Sequence, residues 1–389
     1  MKIAIVHDYL YTYGGAERVL EILCEIWPNA PIYTAWADWK WLKSVENQIT
    51  AVSRFSTKKK IITSWFDKVP FKKQLCSPLR FLLPLIWRDF YSELKKYDVV
   101  ISSSAWGMSK GVSFARGPIH ICYCHTPPRY LYGYPTALNF KKYWWGRLYA
   151  NLVNPFMRDY DFKSSQAVDW FICNSKEVQK RIWKFYRRRT EIIYPPVFVK
   201  RQKIDKKTDS GQNVNNKIRS YFLMVNRLVR PKNVDLAIKT CKKLKVNLKI
   251  AGAGPDEKRL KKITGNSSYI EFLGYVDDKR LNQLYVNCKA VLYLAEHEDF
   301  GITPLEGMSF GKPVIALRSG GVIESVIEGK TGIFIDELTV NGLAVVLKEF
   351  DPQKFKPKDC QKQAEKFSKE RFKMEIKRFV EKKYNSNKV

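Results

Sequence analysis

The chain has 389 residues, 45% of them hydrophobic. That is enough apolar material for sizeable cores, which excludes a disordered chain, and the length suits two domains rather than one. Lys and Arg outnumber Asp and Glu by 69 to 38, a formal net charge of +31, so the surface suits polyanions: nucleic acid, anionic lipid or a phosphorylated substrate. No apolar run approaches the roughly 20 residues of a spanning helix. Met1–Leu10, interrupted by His7 and Asp8, lacks the layout of a signal peptide. The expectation is a cytoplasmic protein that also works at the inner face of the membrane. The eight cysteines are scattered, with no Cys-x-x-Cys pair, so no zinc site is expected and buried free thiols are.

In chain order, Lys2–Val6 reads as a buried parallel strand, followed by a polar loop with Gly14-Gly15 and a helix from Ala16 to Cys24. That is the first half of a nucleotide-binding βαβ unit. Short apolar runs at Tyr97–Ser102, Ile119–Cys124 and Trp170–Asn174 extend the parallel sheet. The pattern stops at a polar stretch over 200–218, read as a linker or exposed loop. A second α/β series follows, with strands at Tyr221–Val225, Asn247–Ala251, Ile270–Leu273, Ala290–Leu294, Pro313–Ala316 and Gly332–Ile335. Helices are expected at Val234–Leu244, Asp277–Asn287 and Pro304–Phe310, and one amphipathic helix over Lys354–Tyr384. The domains are therefore 1–199, the linker 200–218, 219–365, and a C-terminal helical segment 366–389.

The richest local signal is Glu296-His-Glu-Asp-Phe-Gly-Ile-Thr-Pro-Leu-Glu306, which follows the strand at Ala290–Leu294. Pro304 fits the first turn of a helix, where a missing N–H costs little. Glu298 then lies on a loop at a strand end, and Glu306 early in the next helix. Gly301 allows close approach of backbone amides to a ligand, and a helix N-terminus favours phosphate and acceptor oxygens. Asn226-Arg227-Leu228-Val229-Arg230-Pro231-Lys232-Asn233 follows the first strand of the second series. His125, in Tyr123-Cys-His-Thr-Pro-Pro-Arg129, ends a strand of the first.

These segments resemble glycosyltransferase family 4. Glu298 and Glu306 are similar to that family's E-x7-E motif, and Arg227 with Lys232 to its Arg…Lys segment, with Asn226 standing where glycine is common. Gly14-Gly15 resembles its first-domain glycine loop. Asn174-Ser175, Tyr194-Pro195-Pro196, Gly252-Ala253-Gly254 and Gly320-Gly321 resemble further landmarks. The His125 segment is most similar to the mannosyltransferase branch. The resemblance implies the GT-B fold: two Rossmann-like, doubly wound α/β domains facing a central cleft, with the C-terminal helix returning to the first domain. It implies that Glu298 and His125 contact the transferred sugar and that Glu306 holds the ribose. The backbone of Phe300, Gly301 and Ile302 would meet sugar hydroxyls, and Gly14 and Gly15 the phosphates or the sugar. Arg227 and Lys232 would take the diphosphate, and Arg129 and Asn174 stand in support.

The implied reaction is retaining transfer of a sugar, best matched by mannose from GDP-mannose, to a glycan or lipid-linked acceptor in surface-glycan synthesis. No Asp-x-Asp pair is placed to hold a metal, so neither metal nor cofactor is expected. A UDP-sugar donor, or a nucleotide-sugar epimerase of the same fold, is the alternative within enzymes. A basic nucleic-acid- or membrane-binding protein is the alternative outside them, and no nucleic-acid-binding module is recognisable. Arg54–Lys96 carries eleven Lys or Arg against three acids, interleaved with Phe55, Trp65, Phe71, Phe81 and Trp87. It reads either as a solvated basic face or as a patch for anionic membrane.

Overall fold

The computed structural model describes residues 1–46, 60–112, 114, 117–136, 143–197 and 221–387. The expected linker at 200–218, and Arg54 and Phe55 of the basic stretch, lie outside them. The chain divides into two compact units. One comprises Met1–Tyr134, Asn139–Pro196 and Lys369–Val389, the other Val197–Ser368 with the short stretch Pro135–Leu138.

In the first unit the strands are β1 (Ile3–His7), β2 (Ile32–Thr34), β3 (Ile61–Thr63), β4 (Val99–Ser104), β5 (Ile119–Cys124), β6 (Trp170–Cys173) and β7 (Thr190–Ile192). They form one parallel sheet in the order β3-β2-β1-β4-β5-β6-β7, with Ile5 opposite Ile101 and Cys124 opposite Cys173. β1, β4 and β5 are buried along their whole length, as a central strand covered by helices on both faces must be. The second unit carries β8 (Tyr221–Val225), β9 (Asn247–Ala251), β10 (Ile270–Gly274), β11 (Ala290–Tyr293), β12 (Val314–Leu317) and β13 (Gly332–Ile335) in the order β10-β9-β8-β11-β12-β13. Each sheet reverses its direction of growth once, between β1 and β4 and between β8 and β11. In open α/β sheets ligands bind beyond the carboxyl ends of the strands at such a switch point. The loops after these strands are therefore where chemistry is to be sought.

Most strand positions agree with the sequence reading, but β2, β3 and β7 were not anticipated. Each has three residues, too few to show a period, and pairing with a longer neighbour holds them in the sheet. The expected single helix over Lys354–Tyr384 is two helices, Pro357–Glu365 and Lys369–Ser386. The chain between them is drawn out because the Val197 N–H donates to Phe367 O at 2.8 Å and Val197 bridges Ser368. The last helix belongs to the first unit. Its Phe372, Ile376 and Val380 are buried at helical spacing, Lys369 and Lys373 both pair with Glu25 at 2.7 and 2.5 Å, and Arg371 donates to Tyr194 O. All eight cysteines are free, and all but Cys76 are buried.

Candidate functional site

In the second unit the loops after β8 and β11 flank the switch point. Lys232, on the β8 loop, donates its ammonium to Glu298 Oε2 on the β11 loop and sits 5.5 Å above the Tyr293 ring. The two side chains are 18% and 19% exposed, so the pair is largely desolvated yet reachable. Asn233, in the left-handed region at φ 51°, ties the loops together: its Nδ2 donates to Leu294 O at 2.9 Å and Glu296 Oε2 at 3.2 Å. The Glu296 N–H donates to Pro231 O. Arg227 points to solvent from the same β8 loop and makes no ion pair among the described residues.

The helix Ile302–Ser309 begins at Gly301, whose φ of 87° is open to glycine, and no side chain caps it. The first N–H groups of a helix have no partner within it, and no side chain takes them here, so they suit a ligand oxygen. Pro304 lies in the first turn as expected. Gly307 lets this helix close on β11, since a Cβ there would lie 2.5 Å from Val291. That fixes Glu306 one residue earlier, where Tyr285 donates its phenol to Oε2 at 3.0 Å. The Phe300 side chain is buried against Phe367, so its backbone alone is available to a ligand.

Glycines are present where these loops touch backbone to backbone. A Cβ at Gly320 would lie 2.4 Å from Glu298 O, at Gly321 2.4 Å from Asp299 O, at Gly252 2.0 Å from Asn226 O and at Gly254 2.3 Å from Leu228 O. The Gly321 N–H donates to Glu298 O at 2.9 Å. Asn226, which replaces the expected glycine, is buried, and its Nδ2 has no partner among the described residues. A cavity of about 560 Å³ lined by Tyr221, Asn247, Lys249 and Arg280 lies at the amino-terminal ends of β8 and β9, away from these loops.

The first unit brings together His125, Ser103, His7 and Glu17 at the ends of β5, β4 and β1 and the start of the helix Gly15–Ile26. Ser103 Oγ lies 2.8 Å from His125 Nε2 and 3.0 Å from His7 Nδ1, and His7 Nε2 is 3.6 Å from Glu17 Oε1. The other Glu17 oxygen accepts the Gly14 N–H at 2.8 Å, as acids do at a helix start. Gly15 is the first, exposed, residue of that helix. Asn174 Nδ2 donates to His125 O at 3.0 Å, and Arg129 is half-buried four residues on. Burial, with His7 beside it, holds His125 at a pKa of about 3, hence neutral near pH 7. The chain of hydrogen bonds was not visible in the sequence, because it joins three strands that only the sheet order makes neighbours. His7 at a strand end was the one available sign.

Two parallel α/β units with this loop chemistry match solved glycosyltransferases along nearly their whole length. Sucrose-phosphate synthase from Thermosynechococcus elongatus superposes with a TM-score of 0.74 at 15% identity, covering 99% of this chain and 100% of that one. Anabaena HepE, solved in complex with UDP, gives 0.70 at 18% identity, covering 98% and 100%. The protein thus has the two-domain GT-B fold of the glycosyltransferases. The family model described as glycosyltransferase family 4 matches residues 13–201, and that of glycosyl transferases group 1 matches 205–367. The chain belongs to glycosyltransferase family 4 and is a glycosyltransferase. Among similar proteins, the alpha-1,3/1,6-mannosyltransferase ALG2 of Dictyostelium discoideum is 26% identical over 388 residues, 85% of each chain. Human ALG2 is 27% identical, covering 67% of this chain and 66% of that one. The uncharacterized glycosyltransferase MJ1178 of Methanocaldococcus jannaschii is 29% identical over 49% of this chain and 52% of its own.

Proposed function

We propose that the protein transfers mannose from GDP-mannose, with retention and without a metal ion, to a glycan or lipid-linked saccharide. The observation that carries the reading is the Lys232–Glu298 pair at the end of β11, with Glu306 held by Tyr285 on the next helix. The mannosyltransferase names of the relatives support the sugar.

In this reading the bond between the sugar's anomeric carbon and the diphosphate oxygen breaks, and its electron pair goes to that oxygen. Lys232 and Arg227 stabilise the charge that develops there, a preorganised cationic role worth several kcal/mol in a site of low polarity. The donor phosphate takes the place of Glu298 at the Lys232 ammonium. The released Glu298 carboxylate then accepts a hydroxyl of the transferred sugar. Glu306, oriented by Tyr285, accepts the ribose hydroxyls. The amides at Gly301 and Ile302 serve further sugar oxygens. Neutral His125 gives the donor sugar a hydrogen-bonding group without adding charge, and Gly14 and Gly15 meet the donor through their backbone. The acceptor hydroxyl attacks on the face the phosphate leaves, and its proton passes to the phosphate oxygen.

The test is nucleotide release from GDP-mannose with a saccharide acceptor, in excess chelator. Glu298→Gln and Lys232→Ala, each folded, should reduce turnover by roughly 10²- to 10³-fold. Turnover that survives both substitutions would remove these residues from the mechanism, and turnover abolished by chelator would remove its metal independence.

A further inference from the structure

The helix Trp144–Gln166 buries polar groups and exposes large apolar ones. Its buried face sets Met157 into the core but otherwise carries small or polar residues, among them Asn154, Asp161, Ser164 and Ser165. Those polar groups are used internally: Asn154 accepts from Arg80 at 2.9 Å, and Asp161 takes Lys110 and, at 2.7 Å, the Tyr132 phenol. Five large apolar residues of the helix face solvent instead. Trp144, Trp145, Leu148, Leu152 and Phe156 are between 50% and 71% exposed, and their spacing of three to four places most of them on one stripe. Arg80, whose sequence neighbour Phe81 is exposed, stacks on Tyr149 of this helix with its guanidinium 4.6 Å from the ring.

We propose that this stripe is a membrane-docking surface that lies in the headgroup region of an anionic bilayer. An apolar stripe this size marks an interaction surface, and charge selects the partner. Arg147 and Arg158 are exposed beside it, and the exposed acid Asp159 is paired with Lys163 at 2.8 Å. Residues 60–96, which hold Arg80 and Phe81, contain eight Lys or Arg against three acids. A second copy of a chain of net charge +31 would be repelled, whereas an anionic lipid surface is attracted. Paired tryptophans at the head of an apolar stripe suit the boundary between water and acyl chains. The proposal goes beyond the donor reading and does not depend on it.

The experiment is flotation of the full chain with vesicles of phosphatidylcholine alone and of phosphatidylcholine with phosphatidylglycerol, at low and high salt. The protein should float with the anionic vesicles, less so in salt. The triple variant Leu148→Ser, Leu152→Ser, Phe156→Ser should partition roughly a hundredfold more weakly at an unchanged melting temperature. Leu152→Ser alone should move in the same direction, which keeps the test valid if the triple variant does not fold. Flotation of folded variants equal to that of the parent protein, or no flotation of the parent at low salt, would overturn the proposal. So would a dimer in sedimentation that the triple variant dissolves.

Discussion

At the scale of single residues, the loop that carries Glu298 is held by a glycine contact. Gly320 has a φ of 73°, and a Cβ there would sit 2.4 Å from Glu298 O and 2.6 Å from Glu298 N. Gly320→Ala should cost about 1–3 kcal/mol and displace Glu298, so both melting temperature and turnover should fall. Gly329 has a similar φ of 71° but nothing within 4 Å. Gly329→Ala should cost only about 1 kcal/mol of backbone strain and leave turnover intact. Equal turnover in the two variants would show that the Glu298 contact is irrelevant.

The buried histidines give a pH signature. His120 and His125 both have pKa values depressed to about 3, chiefly by burial, against about 6.5 unfolded. Below pH 6.5 the unfolded chain binds protons that the folded chain does not. Stability is therefore complete above that pH and is lost as pH falls toward 3, by up to about 1.4 kcal/mol per pH unit for each histidine. Urea midpoints at pH 7 and pH 5 should show the fall, and His120→Gln should lessen the slope. A slope unchanged by that substitution would mean His120 is already protonated in the folded state.

At the scale of elements, the terminal helix Lys369–Ser386 is a structural part of the first unit. Phe372 is fully buried, with its ring 5.8 Å from that of Tyr123 on β5, two residues before His125. Phe372→Ala should destabilise the unit by roughly 3–5 kcal/mol, read as a lower denaturation midpoint; an unchanged midpoint would mean the helix is not docked. Elements of this kind were legible in the sequence where a period had room to show itself. The strands Tyr221–Val225, Asn247–Ala251 and Gly332–Ile335 and the helix Val234–Leu244 lie where their patterns place them. Three-residue strands such as Ile32–Thr34 carry no period. The break at Phe367–Ser368 depends on pairing with Val197, some 170 residues away, which local pattern does not report. The motif residues Glu298, Lys232 and Glu306 were readable for the same local reason. Their partners Tyr285 and Tyr293 were not, nor was Ser103 beside His125 in the first unit, because tertiary packing alone brings these groups together.

At the scale of the molecule, two separately cored units divide the tasks. Loops of the second unit gather a lysine–glutamate pair, a second glutamate and an open helix start. The first holds a neutral histidine in a buried hydrogen-bond chain and presents an apolar, cation-flanked helix face. The large positive charge suits both the diphosphate of a donor and the proposed lipid surface, so salt should weaken each.

The central claim is that the loops after β8 and β11 hold a nucleotide-diphosphate sugar. It is tested most directly by melting the full chain in chelator with GDP, UDP, ADP and their sugar conjugates. A ligand bound only by the folded state, at a hundred times its dissociation constant, adds about 2.7 kcal/mol of stability. The account predicts an upward shift with GDP and GDP-mannose that Lys232→Ala abolishes. A shift with UDP conjugates alone would keep the site and change the donor, and no shift with any nucleotide would contradict the site itself.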